Sequence, residues 1–225
     1  MELNQVIDIL KSQANPLNVA GMAKFGINPR NTLGVSVVQI RALAKMIKKD
    51  HALALELWDC DIHEARILAA LIAQPSLVTQ ELMEKWAAAF DSWDICDQVC
   101  SNLFRKTPFA YAKAIEWALR EEEFVRRAGF VMMCVLAVHD KARAHADFEE
   151  FFPLLMEKYV DERNFVKKAV NWALRQIGKR SRDLNAKAIV VAEEIKALNT
   201  KASRWIANDA LRELTNEKIV ARLKR

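Results

Sequence analysis

Two short segments of the chain combine a tryptophan with a charged residue one helical turn away. Trp93 and Asp97 are four residues apart, as are Lys168 and Trp172, so each pair shares one face of a helix. If both faces open onto one groove, they form an aromatic cage with an anion inside it and cations at its rim. Such a cage suits a cationic, planar ligand that is attached to a polyanion.

The six tryptophans of the chain do not have equal claims to a functional role. Most tryptophans in helices pack in the core or between helices, and we expect this of Trp58, Trp86 and Trp117. The segment Trp-Ala-Leu-Arg occurs at 117–120 and again at 172–175. Taken alone, the second copy has no better claim to function than the first.

The acids around Trp93 have different explanations. Asp91 or Ser92 can cap the helix, and Asp94 can stabilise its positive N-terminal end. Asp97 lies a turn further in, where an aspartate has poor helix propensity and no capping role. Two explanations remain open for Asp97, namely a functional carboxylate and a salt bridge to a base of the next repeat.

Composition predicts a helical protein with one large domain over residues 1–225. The chain is 52% hydrophobic and 28% charged, and it has only five Gly and five Pro. The pattern predicts fourteen helical segments and no domain boundary. The segments are 2–14, 17–25, 36–49, 51–58, 62–73, 77–90, 92–105, 108–120, 123–138, 146–159, 161–179, 184–197, 199–213 and 215–224.

Charge and cysteine usage narrow the classes of function. A net charge of +5 permits nucleic-acid binding. The spacing of the four cysteines and four histidines matches no zinc motif, so we expect no metal site and buried, reduced thiols in a cytoplasmic protein. No apolar stretch is long enough to span a bilayer, and the N-terminus lacks the bases of a signal peptide.

A repeat with a period of about 40 residues is visible. Phe-Val-Arg-Arg-Ala at 124–128 returns as Phe-Val-Lys-Lys-Ala at 165–169. This period, filled with paired helices, is typical of HEAT repeats, and it predicts a curved solenoid with a concave, basic groove. The recurring bases would line up as a track for phosphates. They can equally be solvated or paired with acids of a neighbouring repeat.

The chain resembles the HEAT-repeat DNA alkylation repair glycosylases (AlkD-like) over nearly its whole length. Each matching piece is weak, but their order and spacing together are fairly specific. The pieces are Gly-Met-Ala-Lys-Phe (21–25), Leu-Gly-Val (33–35), Ile-Arg-Ala-Leu-Ala-Lys (40–45), Trp-Asp (58–59), Glu-Ala-Arg (64–66), Trp-Asp-x-x-Asp (93–97), Val-Arg-Arg-Ala (125–128) and Lys-Lys-Ala-Val-Asn-Trp-Ala-Leu-Arg (167–175).

The resemblance implies a role for each matching position. Asp97 would be the catalytic carboxylate, and Trp93 and Trp172 would be its aromatic walls. The expected DNA contacts are Arg127, Lys168, Arg175, Phe165, Arg41 and Phe25. The chain departs from the family pattern twice, since Phe25 has no hydroxyl and Asn-Phe (164–165) stands where two aromatics are expected.

The implied activity is excision of positively charged N3- or N7-alkylated purines from double-stranded DNA in base excision repair. This chemistry requires no metal or organic cofactor, and we expect a monomer that acts away from membranes. The rival interpretation is a non-catalytic HEAT module that binds nucleic acid or a protein partner, because fold and charge are the same for both.

Overall fold

The structure is a computed structural model that describes residues 1–223. These residues form fourteen α-helices and three 3₁₀ helices, with no strand among them. They group into two compact units, of which the first is Met1–Pro108 and the second begins at Phe109. No helix in the described part of the chain is long and apolar enough to cross a membrane. The all-α prediction is confirmed, and the single domain over 1–225 stays a prediction.

The first unit holds seven helices. They are α1 (Leu3–Ser12), α2 (Pro16–Lys24), α3 (Val37–Ile47), α4 (His51–Asp59), α5 (His63–Ile72), α6 (Gln80–Ala88) and α7 (Trp93–Asn102), with 3₁₀ helices at Pro75–Leu77 and Phe104–Lys106. Helix α5 is central, because α1, α3, α4 and α7 all pack against it. Helix α7 therefore takes its position from α5.

The core of the first unit is built on two of the predicted core tryptophans. Trp58 of α4 and Trp86 of α6 are buried, and their rings stack with centroids 4.0 Å apart and planes 3° from parallel. The guanidinium of Arg66 on α5 lies 5.4 Å from the Trp58 ring centroid. Aromatic stacking thus ties α4 to α6, and the core prediction for both tryptophans is confirmed.

The second unit holds the remaining helices. They are α8 (Ala110–Ala118), α9 (Glu123–His139), α10 (Phe152–Lys158), α11 (Asn164–Gly178), α12 (Arg182–Ala197), α13 (Lys201–Leu214) and α14 (Glu217–Val220), with a 3₁₀ helix at Ala146–Phe151. Helices α8 and α12 pack on their successors α9 and α13, and α11 packs against both α9 and α13. Paired helices whose second members lie side by side are the arrangement of HEAT repeats.

The helix predicted over 146–159 is only partly α-helical. Its first half is the 3₁₀ helix Ala146–Phe151, and the α-helix begins at Phe152. Pro153 explains the boundary, because proline is tolerated in the first turn of an α-helix but not in its interior. The tighter 3₁₀ spacing brings Phe148 and Phe151, three residues apart, onto one buried side.

Candidate functional site

Helix α7 divides cleanly into a core side and an accessible side. Ile95, Cys96 and Val99 are buried, whereas Trp93 and Asp97 are only half-buried. The four-residue spacing therefore does place the indole and the carboxylate on one side of the helix, away from the core of the first unit. This is the arrangement that the sequence predicted for the two residues.

The loop that follows α2 is hydrogen-bonded to the start of α7. Trp93 Nε1 donates to the carbonyl oxygen of Phe25 at 3.1 Å, and the backbone N–H of Asn28 donates to Ser92 Oγ at 2.9 Å. The side-chain amide of Asn28 also donates to Asp91 at 2.8 Å. Ser92 is the N-cap residue, but its hydroxyl does not cap the helix. The expected capping by Asp91 or Ser92 is replaced by contacts that fix the loop against Trp93.

A buried carboxylate, Glu64 of α5, holds the other end of this loop. It accepts the backbone N–H groups of Leu33, Gly34 and Val35, the shortest at 2.6 Å from Gly34. Gly34 has a φ of +78°, and a Cβ there would lie 2.2 Å from the carbonyl oxygen of Asn15. Only glycine fits this position. The sequence offered Glu64 as part of a motif but gave no sign of its role as an acceptor.

Asp94 makes a specific contact that the sequence did not predict. Its carboxylate lies 2.8 Å from Nε2 of His63, and both side chains are largely buried. Burial alone would lower the pKa of His63, but the hydrogen bond to Asp94 and the charges of Asp94, Glu64 and Asp91 outweigh it and raise that pKa. The pair joins the first turns of α5 and α7, so it positions the helix that carries Asp97.

The two remaining first-unit residues of the predicted set are accessible. Phe25 is 74% exposed, and its backbone carbonyl receives the Trp93 indole N–H. Arg41 is exposed on α3. Both side chains can therefore be reached from solvent.

In the second unit, four of the predicted residues line one shallow cavity. Arg127, Lys168, Trp172 and Arg175 meet in a space of about 350 Å³, together with Asn171, Trp205 and Asp209. We name this set the tryptophan pocket. The indole N–H of Trp172 can donate to Gln176 at 3.3 Å when the amide is oriented to satisfy both of its neighbours. Trp205 also lines this cavity, and it was not predicted as a site residue.

Arg127 and Phe165 link α9 to α11. Arg127 is only 5% exposed and donates from Nη1 to the backbone carbonyl of Phe165 at 2.6 Å. The ring of Phe165 stacks on Phe124, its counterpart in the preceding repeat, at 5.7 Å between centroids. Lys168, in contrast, is exposed. Within this group Lys168 is thus the side chain that can reach a ligand without rearrangement.

Arg175 is neutralised by two acids of α13. Its guanidinium pairs with Glu213 and lies 3.6 Å from Asp209, and Lys179 also pairs with Glu213. Burial alone would raise the pKa of Glu213, but the hydrogen bonds from Lys179 and Arg175 outweigh it and lower that pKa. Arg175 therefore contributes less positive charge to the tryptophan pocket than the sequence suggested.

Of the four bases in the expected track (126, 127, 167 and 168), only Lys168 is exposed. Arg126 is buried and bonds to Asp161 at 2.7 Å and to Glu121 at 2.8 Å. Burial would raise the pKa of Asp161, but hydrogen bonds from Arg163 and Arg126 lower it to about 2. Arg126 is therefore paired with acids, as the alternative to a phosphate track predicted, whereas Lys168 is exposed.

These observations define an all-helical protein of the HEAT-like repeat class. A solved structure has a TM-score of 0.80 and 21% identity, covering 95% of this chain and 96% of that chain. It is described as a new family of proteins related to the HEAT-like repeat DNA glycosylases with affinity for branched DNA structures. No curated protein matches this chain in sequence.

The family model described as DNA alkylation repair enzyme matches residues 6–214. The chain therefore belongs to the DNA alkylation repair family, and the resemblance seen in the sequence is confirmed. The match runs through both compact units and includes every position predicted for the site.

Proposed function

We propose that the protein is a DNA glycosylase that releases purines carrying a positive charge from alkylation at N3 or N7. The observation that carries the proposal is the accessible side of α7, where Trp93 and Asp97 lie one turn apart in a chain of the DNA alkylation repair family. The proposal requires only residues of this chain and a water molecule.

The chemistry follows from the charge of the leaving group. When the bond between C1′ and the purine nitrogen breaks, its electron pair neutralises the cationic base, which leaves without protonation. Positive charge then grows on the deoxyribose, as it does in glycoside hydrolysis. Asp97 stabilises that charge and accepts a proton from the water whose oxygen bonds to C1′. The products are a neutral alkylated base and an abasic site.

The aromatic and basic residues have separate tasks. The indoles of Trp93 and Trp172 attract the cationic nucleotide, each contributing roughly 0.5–2 kcal/mol. In the second unit, Lys168 binds a backbone phosphate directly. Arg127 binds one only after its buried guanidinium leaves the Phe165 carbonyl, and Arg175 is a weaker contributor because Glu213 neutralises it. Phe25 and Arg41 would contact the DNA from the first unit. We further propose that the protein acts as a monomer on double-stranded DNA in the cytoplasm.

The decisive experiment replaces Asp97 by Asn and measures release of 7-methylguanine and 3-methyladenine from methylated duplex DNA. Loss of the carboxylate charge should reduce the rate about 10²–10³-fold, as is typical when one electrostatic stabiliser is removed. Asp59→Asn is the matched control, because Asp59 is an exposed carboxylate of the same unit that pairs with Lys85. A folded Asp97→Asn variant with the rate of the control would overturn the catalytic assignment.

Selectivity gives an independent measurement on the same enzyme. Neutral lesions such as uracil and 8-oxoguanine would need a general acid at the base, and the mechanism contains none. We expect no detectable release of either. Efficient release of a neutral base would contradict discrimination by charge.

A second candidate function is binding without catalysis, favoured by the description of the similar structure as a protein with affinity for branched DNA. It predicts tighter binding to a four-way junction than to a linear duplex and no base release by the wild-type protein. Measuring both substrates under the same salt conditions separates the two candidates.

A further inference from the structure

A second cavity of the second unit lies next to the tryptophan pocket along α11. It has a volume of about 400 Å³ and is formed by the C-terminal halves of α9 and α11, the segment between α9 and the 3₁₀ helix, and the segment after α14. Its lining residues are Ala137, Val138, Lys141, His145, Gln176, Lys179, Arg180 and Arg222. We name this set the basic pocket.

The wall of the basic pocket is strongly cationic. Lys141, Lys179, Arg180 and Arg222 line it, and no carboxylate is among the described residues that do. Lys179 is paired with Glu213, so most of the positive charge comes from the other three. The acids that act on Arg180 and Lys179 are all engaged in ion pairs. Asp140 and Asp147 pair with Arg143, and Glu213 shares its charge between Lys179 and Arg175.

Arg180 is held in place by neutral groups. It donates to the carbonyl oxygens of Ala137 at 2.9 Å and Arg143 at 2.7 Å, and its guanidinium lies 4.1 Å from the Phe148 ring centroid. Its Nε is buried and has no hydrogen-bond partner in the described part of the chain. Burial lowers the pKa of Arg180. A desolvated cation that is fixed by carbonyls and a ring is most stable beside an anion.

The position of the basic pocket relative to the tryptophan pocket follows from helix geometry. Trp172 and Lys179 are seven residues apart on α11, which corresponds to about 10 Å at 1.5 Å per residue. Gln176 lies between them and can bond to both side chains.

We propose that the basic pocket binds a phosphate group of the DNA backbone, on the strand that also reaches the tryptophan pocket. Lys141 and Arg222 are the exposed contacts, and Arg180 is the fixed cation at the wall. This inference rests on the proposed DNA-directed function and extends its footprint along α11.

The test replaces the two exposed bases together, Lys141→Gln with Arg222→Gln, and leaves Arg180 intact because its bonds to α9 support the fold. Affinity for a long duplex should fall roughly tenfold at moderate salt, and the slope of log affinity against log salt should decrease by about two contacts. The matched control is Lys196→Gln, which removes an exposed lysine of α12 that lies in neither pocket. In the control, the affinity should stay close to the wild-type value, and the salt slope should change by much less than one contact.

Base release is scored separately at saturating protein, so that the two proposals can fail independently. An unchanged affinity and salt slope in the double variant would overturn the phosphate site and leave the glycosylase proposal standing. A wild-type protein that releases no base, while the double variant still shows its binding defect, would overturn the glycosylase and support the phosphate site.

A last arm distinguishes a strand phosphate from a free anion. The Tm of the wild-type protein and of the double variant is measured in inorganic phosphate and in chloride at equal ionic strength. A rise in Tm specific to phosphate in the wild type, without any effect of the double variant on DNA affinity, would overturn the assignment to the DNA backbone.

Discussion

The segment Trp-Ala-Leu-Arg occurs twice in the second unit, and its two copies have opposite environments. Trp117 of α8 is 0% exposed, whereas Trp172 of α11 lines a cavity. Helix α8 is pressed against α9 so closely that a Cβ on Gly129 would lie 2.3 Å from the backbone nitrogen of Ala118. The position of a helix within its pair, and not the local sequence, decides whether the indole is buried in the core or lines a cavity.

The two copies of the Phe-Val-basic-basic-Ala motif, at 124–128 and 165–169, also differ in environment. Arg126 of the first copy is enclosed in an ion pair with Asp161, whereas Lys167 of the second copy lies 5.5 Å from the Trp205 ring centroid and Lys168 is exposed. Similar patterns are therefore enclosed in ion pairs in one repeat and leave a lysine exposed in the next.

The largest expected difference concerns stability. Trp117→Ala should lower the free energy of unfolding by about 3–5 kcal/mol, because it leaves a cavity in a closed core. Trp172→Ala should cost about 1 kcal/mol, since the site is open and water can fill it. Urea unfolding of both variants measures the difference. Equal losses of unfolding free energy would show that the two indoles have the same environment, which would contradict the difference between Trp117 and Trp172.

Lowering the pH should destabilise the protein by protonating Asp161, the ion-pair partner of Arg126 in the first copy of the basic motif. The pKa of Asp161 is lowered to about 2, so its pairing stabilises the fold above the usual value of 3.8 and that stabilisation is lost as the pH falls towards 2. The contribution is on the order of 2 kcal/mol. Unfolding free energies at several pH values between 5 and 2 should show this loss in the wild type. Asp161→Asn should be less stable at pH 5 and should lack that part of the pH dependence.

The rate of base release should depend more on Trp172 than on Trp117, which is the reverse of the order expected for stability. Under the proposed function, Trp172→Ala should slow release of 7-methylguanine about 2- to 30-fold, the equivalent of one cation–π contact. Folded Trp117→Ala protein, assayed at low temperature, should keep a rate close to that of the wild type. An equal loss of rate in both folded variants would remove the special role of Trp172.

The smallest expected effect distinguishes the adjacent lysines. Lys168→Gln should weaken binding to damaged and undamaged duplexes alike and should reduce the salt slope by about one contact. Lys167→Gln is the matched control, because its ammonium lies against the Trp205 ring. A larger change of the salt slope in Lys167→Gln than in Lys168→Gln would show that Lys167, and not Lys168, contacts the phosphate.

Much of the site could be predicted because the positions are local to one helix. Four-residue spacing was sufficient to put Trp93 with Asp97 and Lys168 with Trp172, and the structure keeps both pairs on accessible sides. The contacts of Glu64 with Leu33–Val35 and of His63 with Asp94 were not predicted, since they join residues about 30 positions apart. No local pattern encodes such a pairing.

The sequence by itself determined the helical class, the period of the repeat and the residue types of the site, because helix propensity and the spacing of side chains along a helix are local properties. Only the tertiary structure decided which copy of a repeated motif is buried. It also decided that Arg126 and Arg175 are paired with acids, and that Lys141, Lys179, Arg180 and Arg222 converge in a basic pocket. Burial and charge pairing depend on which helices become neighbours, and that depends on packing of the whole chain.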